Sequence, residues 1–152
     1  MQIGKREYKT MRKSTQELLK LLNEAPQVSD YIENEEENMV QQTSLCQYLN
    51  TLLEEKQIDK SQMIKLSGLD RTYAYQILSG TKKNPNRDKV LAICFALKLS
   101  FEETQNLLKA TGYPILYARI KKDSILIFAL QRNAALADVN ELLYDFGFET
   151  LT

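Results

Sequence analysis

Residues 60–84, KSQMIKLSGLDRTYAYQILSGTKKN, decide how this chain folds. They read as a short helix, a tight turn over residues 67–70, a second helix over residues 71–79, and a basic loop that starts at Gly80. Gly68 suits the turn, because glycine adopts a left-handed backbone without a steric penalty. Two short helices joined by a short turn with a glycine are typical of the helix-turn-helix unit. The stretch therefore predicts such a unit near the centre of the chain.

Apolar residues recur at helical spacing on both sides of this pair. The pattern predicts one helix before the pair, ending before Ile58, and two helices after it, the last of them ending at Gly112. These five helices make up a predicted domain over residues 44–112. The residues expected to open them are Ser44, Asp59, Asp70, Asn86 and Ser100, and the two serines are followed by the Gln or Glu of a capping box.

Residues 1–43 differ in character from this domain. A basic start is followed by one amphipathic helix over residues 14–22, which Pro26 ends, and then by an acidic segment over residues 30–37. The acidic segment has too few apolar side chains to offset the entropy lost on ordering. We expect residues 1–43 to form an arm with one helix. This arm is either a solvated leader or a functional arm that folds over the basic face or binds a partner. The acidic side chains of the segment are Asp30, Glu33, Glu35, Glu36 and Glu37.

Residues 113–152 predict two more helices, over residues 117–131 and 136–146. Residues 88–116 align with residues 123–151 without a gap, which predicts a duplicated helical hairpin. Chance similarity between two amphipathic hairpins is the alternative. The apolar residues 125–130 are then either core of the repeat or a dimer seam. The predicted fold class is all-α, a five-helix domain with an N-terminal helical arm and an additional C-terminal helical hairpin.

The charge of the chain is balanced, with 20 Lys and Arg against 20 Asp and Glu. This balance disfavours an indiscriminate nucleic-acid binder, because non-specific affinity grows with the number of phosphates neutralised. Residues 44–98 hold an excess of basic side chains, so any basic face belongs to the central domain. The longest apolar run is too short to span a bilayer, and we expect a soluble, cytoplasmic protein.

Residues suited to catalysis are scarce in this sequence. It has no His, no glycine-rich phosphate loop and no metal-ligand spacing, so we expect no enzyme, no cofactor and no metal site. Cys46 and Cys94 lie in apolar helical patterns and are expected to be two buried, reduced thiols.

The helix over residues 71–79 carries side chains suited to base edges. In helix-turn-helix proteins the N-terminal residues of the second helix contact bases, and the flanking loops and helix starts hold phosphates. Arg can read guanine and Gln adenine, while Thr and Tyr can contact a thymine methyl group or a phosphate. The expected base-reading residues are Arg71, Thr72, Tyr75 and Gln76, and the expected phosphate-binding residues are Lys60, Lys82, Lys83, Asn84, Arg87 and Lys89.

Residues 44–110 resemble the Xre, or lambdoid-repressor, type of helix-turn-helix domain. The resemblance rests on SGL at residues 67–69, RTYAYQI at residues 71–77 and SGTKKNP at residues 79–85. The whole chain is also similar to helix-turn-helix proteins of low-GC Gram-positive bacteria that carry a similar arm and C-terminal helix pair. The resemblance implies five helices around the reading pair, with DNA read by Arg71, Thr72 and Gln76 and phosphates held by Lys60, Lys82 and Lys83. Two bulky rings on the reading helix, Tyr73 and Tyr75, depart from the family pattern.

Two functions follow from these patterns. The first is a sequence-specific, DNA-binding transcriptional regulator, expected to be a homodimer because one reading helix covers only a half-site of double-stranded DNA. The second is a protein-interaction module, such as an antitoxin or adaptor, whose partner would contact the acidic residues 30–37 or Tyr73 and Tyr75. We also expect the acidic segment to lie over Lys82 and Lys83 and mimic phosphate, so that deleting residues 1–40 strengthens DNA binding.

Overall fold

The computed structural model of the chain describes residues 13–39 and 42–152. The chain divides into two compact units, with the boundary between residues 41 and 42. The described residues form nine α-helices and no strand, which confirms the all-α prediction. Within this described part, no helix combines the length and the apolar character needed to cross a membrane.

The first unit contains two α-helices, α1 (Thr15–Glu24) and α2 (Val28–Asn34), and a short 3-10 turn (Glu36–Asn38). The Ser14 hydroxyl accepts a bond from the Glu17 amide at 3.1 Å and starts α1 where the sequence predicts it. The basic residues that precede Lys13 lie outside the described residues.

The arm was expected to have one helix, but it has a second, α2, which starts at Val28 and extends into the acidic segment. One helical face of α2 carries the apolar residues Val28, Tyr31 and Ile32. This short apolar pattern is hard to recognise in the sequence because acidic residues surround it. Glu35 is buried, and its carboxylate accepts bonds from Lys13 Nζ at 2.7 Å and Asn38 Nδ2 at 3.0 Å. These bonds offset part of the desolvation cost of burying the Glu35 carboxylate.

The second unit contains the other seven helices. Those around the predicted helix-turn-helix begin and end close to the positions that their apolar patterns indicate. The penultimate helix starts later than residue 117, because residues 117–120 form a turn closed by the Ile120 amide on the Tyr117 carbonyl at 3.0 Å. The helices are α3 (Leu45–Lys56), α4 (Lys60–Ser67), α5 (Arg71–Ser79), α6 (Arg87–Ala96), α7 (Phe101–Ala110), α8 (Lys121–Gln131) and α9 (Leu136–Asp145).

Helix α6 is the centre of the core. All of its residues from Val90 to Ala96 are buried, and α4 and α9 both pack on it. Helix α5 packs on α3 and on α4. Burying a large aliphatic side chain stabilises a fold by about 1.5–3 kcal/mol, so α6 supplies much of the stability that holds the helix-turn-helix pair.

The predicted helix caps differ in how they are realised. Ser100 and Glu103 form the expected capping box, with both reciprocal bonds at 3.0 Å. Ser44 accepts the Gln47 amide at 3.3 Å. Asp59 precedes α4, but its side chain makes no capping bond to the described backbone, so this part of the prediction is wrong. The Asp70 and Asn86 side chains cap α5 and α6 as expected.

Two helical hairpins, α6–α7 and α8–α9, share local structure at a constant offset of 35 residues. The Leu116 amide donates to Gln105 Oε1 at 2.7 Å, and the Leu151 amide donates to Asn140 Oδ1 at 2.8 Å. Both leucines are buried. The same offset relates the residues with positive φ, which are Lys98 and Asn133, each at 56°, and Gly112 and Gly147, at 85° and 81°.

Candidate nucleic-acid interface

The turn between α4 and α5 is held by a buried serine and a glycine. Ser67 Oγ donates to the Ile64 carbonyl at 2.7 Å and accepts the Leu69 amide at 3.3 Å. Gly68 has φ +69°, and a Cβ there would lie 3.1 Å from Thr152 Oγ1. The Asp70 carboxylate then accepts the Tyr73 amide at 3.1 Å and starts α5. The direction of α5 is therefore set by local bonds within a few residues of the turn.

One face of α5 is anchored in the core through Ala74, Ile77 and Leu78, all buried. Asn50 on α3 adds a polar anchor, because its Nδ2 donates to the Leu78 carbonyl at 2.9 Å and to the Cys46 carbonyl at 2.7 Å. Sequence reasoning did not identify Asn50. The available signal was a polar residue directly beside the inward-facing leucines of α3.

The opposite face of α5 carries the predicted base-reading residues. Arg71, Thr72 and Tyr75 are exposed, and Gln76 is half-buried. The Arg71 guanidinium carbon lies 5.8 Å from the centre of the Tyr75 ring, within the range of a cation–π contact. All four side chains lie on one side of the helix, so the structure brings them together.

The loop after α5 presents three exposed side chains, Lys82, Lys83 and Asn84. The Lys82 amide donates to the Gln76 carbonyl at 3.0 Å, which folds the loop back onto the end of α5. Pro85 is buried, and its carbonyl accepts the Tyr113 hydroxyl at 2.6 Å. Lys60, the first residue of α4, is also exposed.

The Arg87 side chain, which is predicted to hold a phosphate, is half-buried at the start of α6 and is engaged within the fold. Its guanidinium forms an ion pair with Asp123, whose side chain is fully buried, with Nη1 3.3 Å from Oδ2. Nη1 also donates to the Pro114 carbonyl at 3.2 Å. Because Asp123 is fully buried, moving the guanidinium away to a phosphate would leave that carboxylate unpaired, and the phosphate contact of Arg87 stays a prediction. The partner is 36 residues away in sequence, so no local pattern reveals the pair.

Tyr73 and Lys89 contact each other. The Lys89 ammonium lies 5.0 Å from the centre of the Tyr73 ring, and both side chains are half-buried. The ring packs against the hydrophobic core. Tyr73 is therefore less accessible to a partner than Tyr75, which is 38% exposed.

The two cysteines differ in environment. Cys94 is buried as expected, and burial raises the pKa of its thiol to about 12. Cys46 is only half-buried, which corrects the expectation that both are buried. Its Sγ lies 3.5 Å from Ser44 Oγ, and a Cβ on Gly80 would lie 3.2 Å from this sulfur. A side chain at position 80 would therefore require Cys46 to shift by a few tenths of an ångström, and the φ of +86° would strain its backbone.

In the described part of the chain, no cluster of three or more His, Cys, Asp or Glu side chains could hold a metal ion. Residues 44–104 match the model of the Cro/C1-type HTH DNA-binding domain. Residues 44–104 are therefore a Cro/C1-type helix-turn-helix domain. The match confirms the predicted Xre type, and it spans α3 to α6 and the start of α7. Neither the curated proteins nor the solved structures gave a match.

The Cro/C1-type domain is a DNA-binding domain, and its family is typically not enzymatic. Helices α8 and α9 lie outside the matched residues. They contact the domain through the C-terminal segment, where Leu151 is buried and Thr152 lies against Gly68 of the turn. The Asn140 amide donates to Thr152 Oγ1 at 3.1 Å, so α9 holds this segment in place.

Proposed function

We propose that this protein is a sequence-specific, DNA-binding transcriptional regulator that reads the major groove with α5. The observation that carries the proposal is the exposure of Arg71, Thr72 and Tyr75 on the second helix of a Cro/C1-type domain, while the other face of that helix is anchored in the core. In this geometry the N-terminal part of the second helix contacts base edges. Arg71 is suited to guanine, and Gln76, further along the helix, to adenine.

Phosphate contacts come from side chains on both sides of α5. Lys60, Lys82, Lys83 and Asn84 are exposed at the start of α4 and in the loop after α5, where they can hold the DNA backbone. Lys89 extends this surface from the edge of the Tyr73 ring. Each lysine that contacts a phosphate releases condensed counterions, so binding weakens as salt is added.

The proposed regulator acts as a dimer. One α5 spans only a half-site, and helix-turn-helix dimers place two reading helices about 34–36 Å apart on successive turns of the major groove. The expected operator is therefore an inverted repeat.

Selection of binding sites from a randomised duplex library tests this function. The full chain, immobilised at low salt, should enrich an inverted repeat whose two halves are about one helical turn apart. The variant Arg71→Ala, selected in parallel, should lose the preference for one base pair in each half. If no sequence is enriched while the protein remains folded by circular dichroism, the proposed function is wrong.

A protein partner is the second candidate function. It is favoured by the apolar residues that α1 and α2 expose, with Leu19 60% and Ile32 50% exposed, and by Tyr75 on α5. A purified partner that binds stoichiometrically should be released by Tyr75→Ala and retained by Arg71→Ala. Retention by both variants would exclude the surface of α5 as its binding site.

A further inference from the structure

The hairpins α6–α7 and α8–α9 differ in what covers one of their faces. In the first hairpin this face includes Val90, Ile93 and Leu107, which are all fully buried. Helix α4 packs on α6, the helix that carries Val90 and Ile93. The hydrogen bonds and positive φ angles shared by the hairpins make their faces directly comparable.

The corresponding face of the second hairpin is open. Ile125, Phe128 and Leu142 occupy the positions of Val90, Ile93 and Leu107, and Phe128 is 47% exposed. With Phe146, which is 54% exposed, they line a groove of about 470 Å³ on the outside of α8 and α9. An apolar surface that has a covered counterpart in the same fold indicates an interaction site.

The charges beside this groove have opposite signs on its two sides. On α8, Lys121 and Arg132 lie on the same helical face as Ile125 and Phe128, and the Arg132 guanidinium stacks 3.5 Å from the centre of the Phe128 ring. On α9, the exposed Asp138 and Asp145 share a face with Leu142. Among residues 13–39 and 42–152, none of these four charged side chains takes part in an ion pair.

We propose that this groove, which we call the open face and define by Ile125, Phe128, Leu142 and Phe146, is the surface through which two copies of this chain form a dimer. A two-fold axis brings the same surface of both copies together. Antiparallel pairing across it sets the basic side of α8 against the acidic side of α9 in the second copy. The surface is therefore complementary to itself in charge as well as apolar at its centre.

The second copy fits the open face better than an unrelated partner of one charge. A strongly acidic partner would be attracted by α8 but repelled by α9, and a strongly basic one would meet the reverse. The proposed dimer rests on the proposed function, because that function needs two reading helices. Dimer formation can nevertheless be measured without DNA.

Sedimentation velocity of the full chain without DNA, over a range of protein concentrations, tests the dimer. Wild type should sediment as a species of twice the 17.6 kDa chain mass at high concentration. Phe128→Glu and Phe146→Glu should each raise the dimer dissociation constant at least about tenfold, because each replaces an apolar ring at the centre of the interface by a charged group that must lose its water. Since both rings are about half exposed in one copy, these variants should keep the wild-type helix content.

Tyr144→Glu is the matched control. Tyr144 is an aromatic residue of α9 that is 76% exposed and lies outside the groove, so this variant should dimerise like wild type. Arg132→Glu should weaken the dimer, and adding Asp138→Lys in the same chain should restore it.

Two results would overturn the open-face dimer. One is a wild-type chain that remains monomeric at every concentration. The other is a dimer that survives both phenylalanine variants, including the case in which Leu19→Glu on α1 dissociates it instead. A chain that dimerises through the open face and yet enriches no DNA sequence would refute the proposed function alone.

Discussion

Hairpins α6–α7 and α8–α9 have equivalent backbones and different surroundings. The first packs against α4 and forms the centre of the core, whereas the second leaves the open face exposed in the described part of the chain. Apolar residues occupy the equivalent positions in both, so the sequence of a hairpin alone does not reveal which face is buried. What differs is the neighbouring helix: α4 packs extensively on α6, and within the described residues it has no comparable contact with α8 or α9.

Reciprocal ion pairs join the two hairpins. Arg87 and Asp88 at the start of α6 contact Asp123 and Lys122 at the start of α8, respectively. Because Arg87 aligns with Lys122 and Asp88 with Asp123, each hairpin contributes one cation and one carboxylate in equivalent positions. In the Arg87–Asp123 pair the carboxylate is fully buried, whereas both members of the Lys122–Asp88 pair are partly exposed. The two equivalent pairs should therefore differ in how much the loss of one member lowers the free energy of unfolding.

The largest expected effect is the loss of the buried pair. Arg87→Met leaves the Asp123 carboxylate buried without its cation, and removing one member of such a pair costs about 3–5 kcal/mol. Urea unfolding followed by circular dichroism should show this loss in the free energy of unfolding. Loss of DNA affinity without loss of stability would instead support Arg87 as a phosphate-binding residue.

Lys122→Met is the control for Arg87→Met. It breaks the partly exposed pair with Asp88, and pairs of this kind contribute about 0–1 kcal/mol. Equal losses in the two variants would contradict the distinction between the buried and the exposed pair.

A smaller effect is expected at the helix caps. Ser100 caps α7 with its side chain, whereas Ala135, the equivalent residue before α9, has no side chain that can do so. Ser100→Ala should lower the free energy of unfolding by about 1 kcal/mol, and Ala135→Ser should raise it by about 0.5–1 kcal/mol. Thermal unfolding measures both. A destabilising Ala135→Ser would show that the two helix starts are not equivalent.

The smallest effect concerns the pH dependence of the same capping box. The bond from the Ser100 backbone amide, supported by Lys56, lowers the pKa of Glu103. Since the folded pKa lies below the unfolded value, the carboxylate stabilises the fold above the unfolded pKa of about 4.3, and this contribution is lost as pH falls through the folded pKa. The stability difference between wild type and Glu103→Gln should therefore shrink in acid, as urea unfolding from neutral to acidic pH would show. A difference that stays constant over this range would contradict the assignment.

The sequence predicts the helix-turn-helix at the centre of the fold better than it predicts contacts between residues that are distant in sequence. Gly68, Asp70 and Gly80 act on neighbouring residues, so the turn, the start of α5 and its end follow from local rules. The ion pair of Arg87 does not follow from local rules, because its partner, Asp123, is distant in sequence.

Other features depend on packing that a local pattern does not contain. The half-burial of Cys46 follows from its approach to Gly80, and the anchoring role of Asn50 follows from the position of α5. Helix α2 was missed because the charges of its segment outweighed a short apolar stripe. The phosphate-mimic interpretation of that segment stays a prediction.

The central claim is that α5 reads DNA while the second hairpin serves another purpose. Fluorescence anisotropy titrations of a selected duplex with wild type, Arg71→Ala and Arg119→Ala, over a salt series, test it most directly. Arg119 is exposed just before α8 and lies outside the matched residues 44–104, so its loss changes the net charge equally. We predict that Arg71→Ala weakens binding roughly 5- to 150-fold, that Arg119→Ala binds like wild type, and that affinity falls steeply with salt. Equal affinities for all three proteins, or no binding by wild type at low salt, would contradict the account.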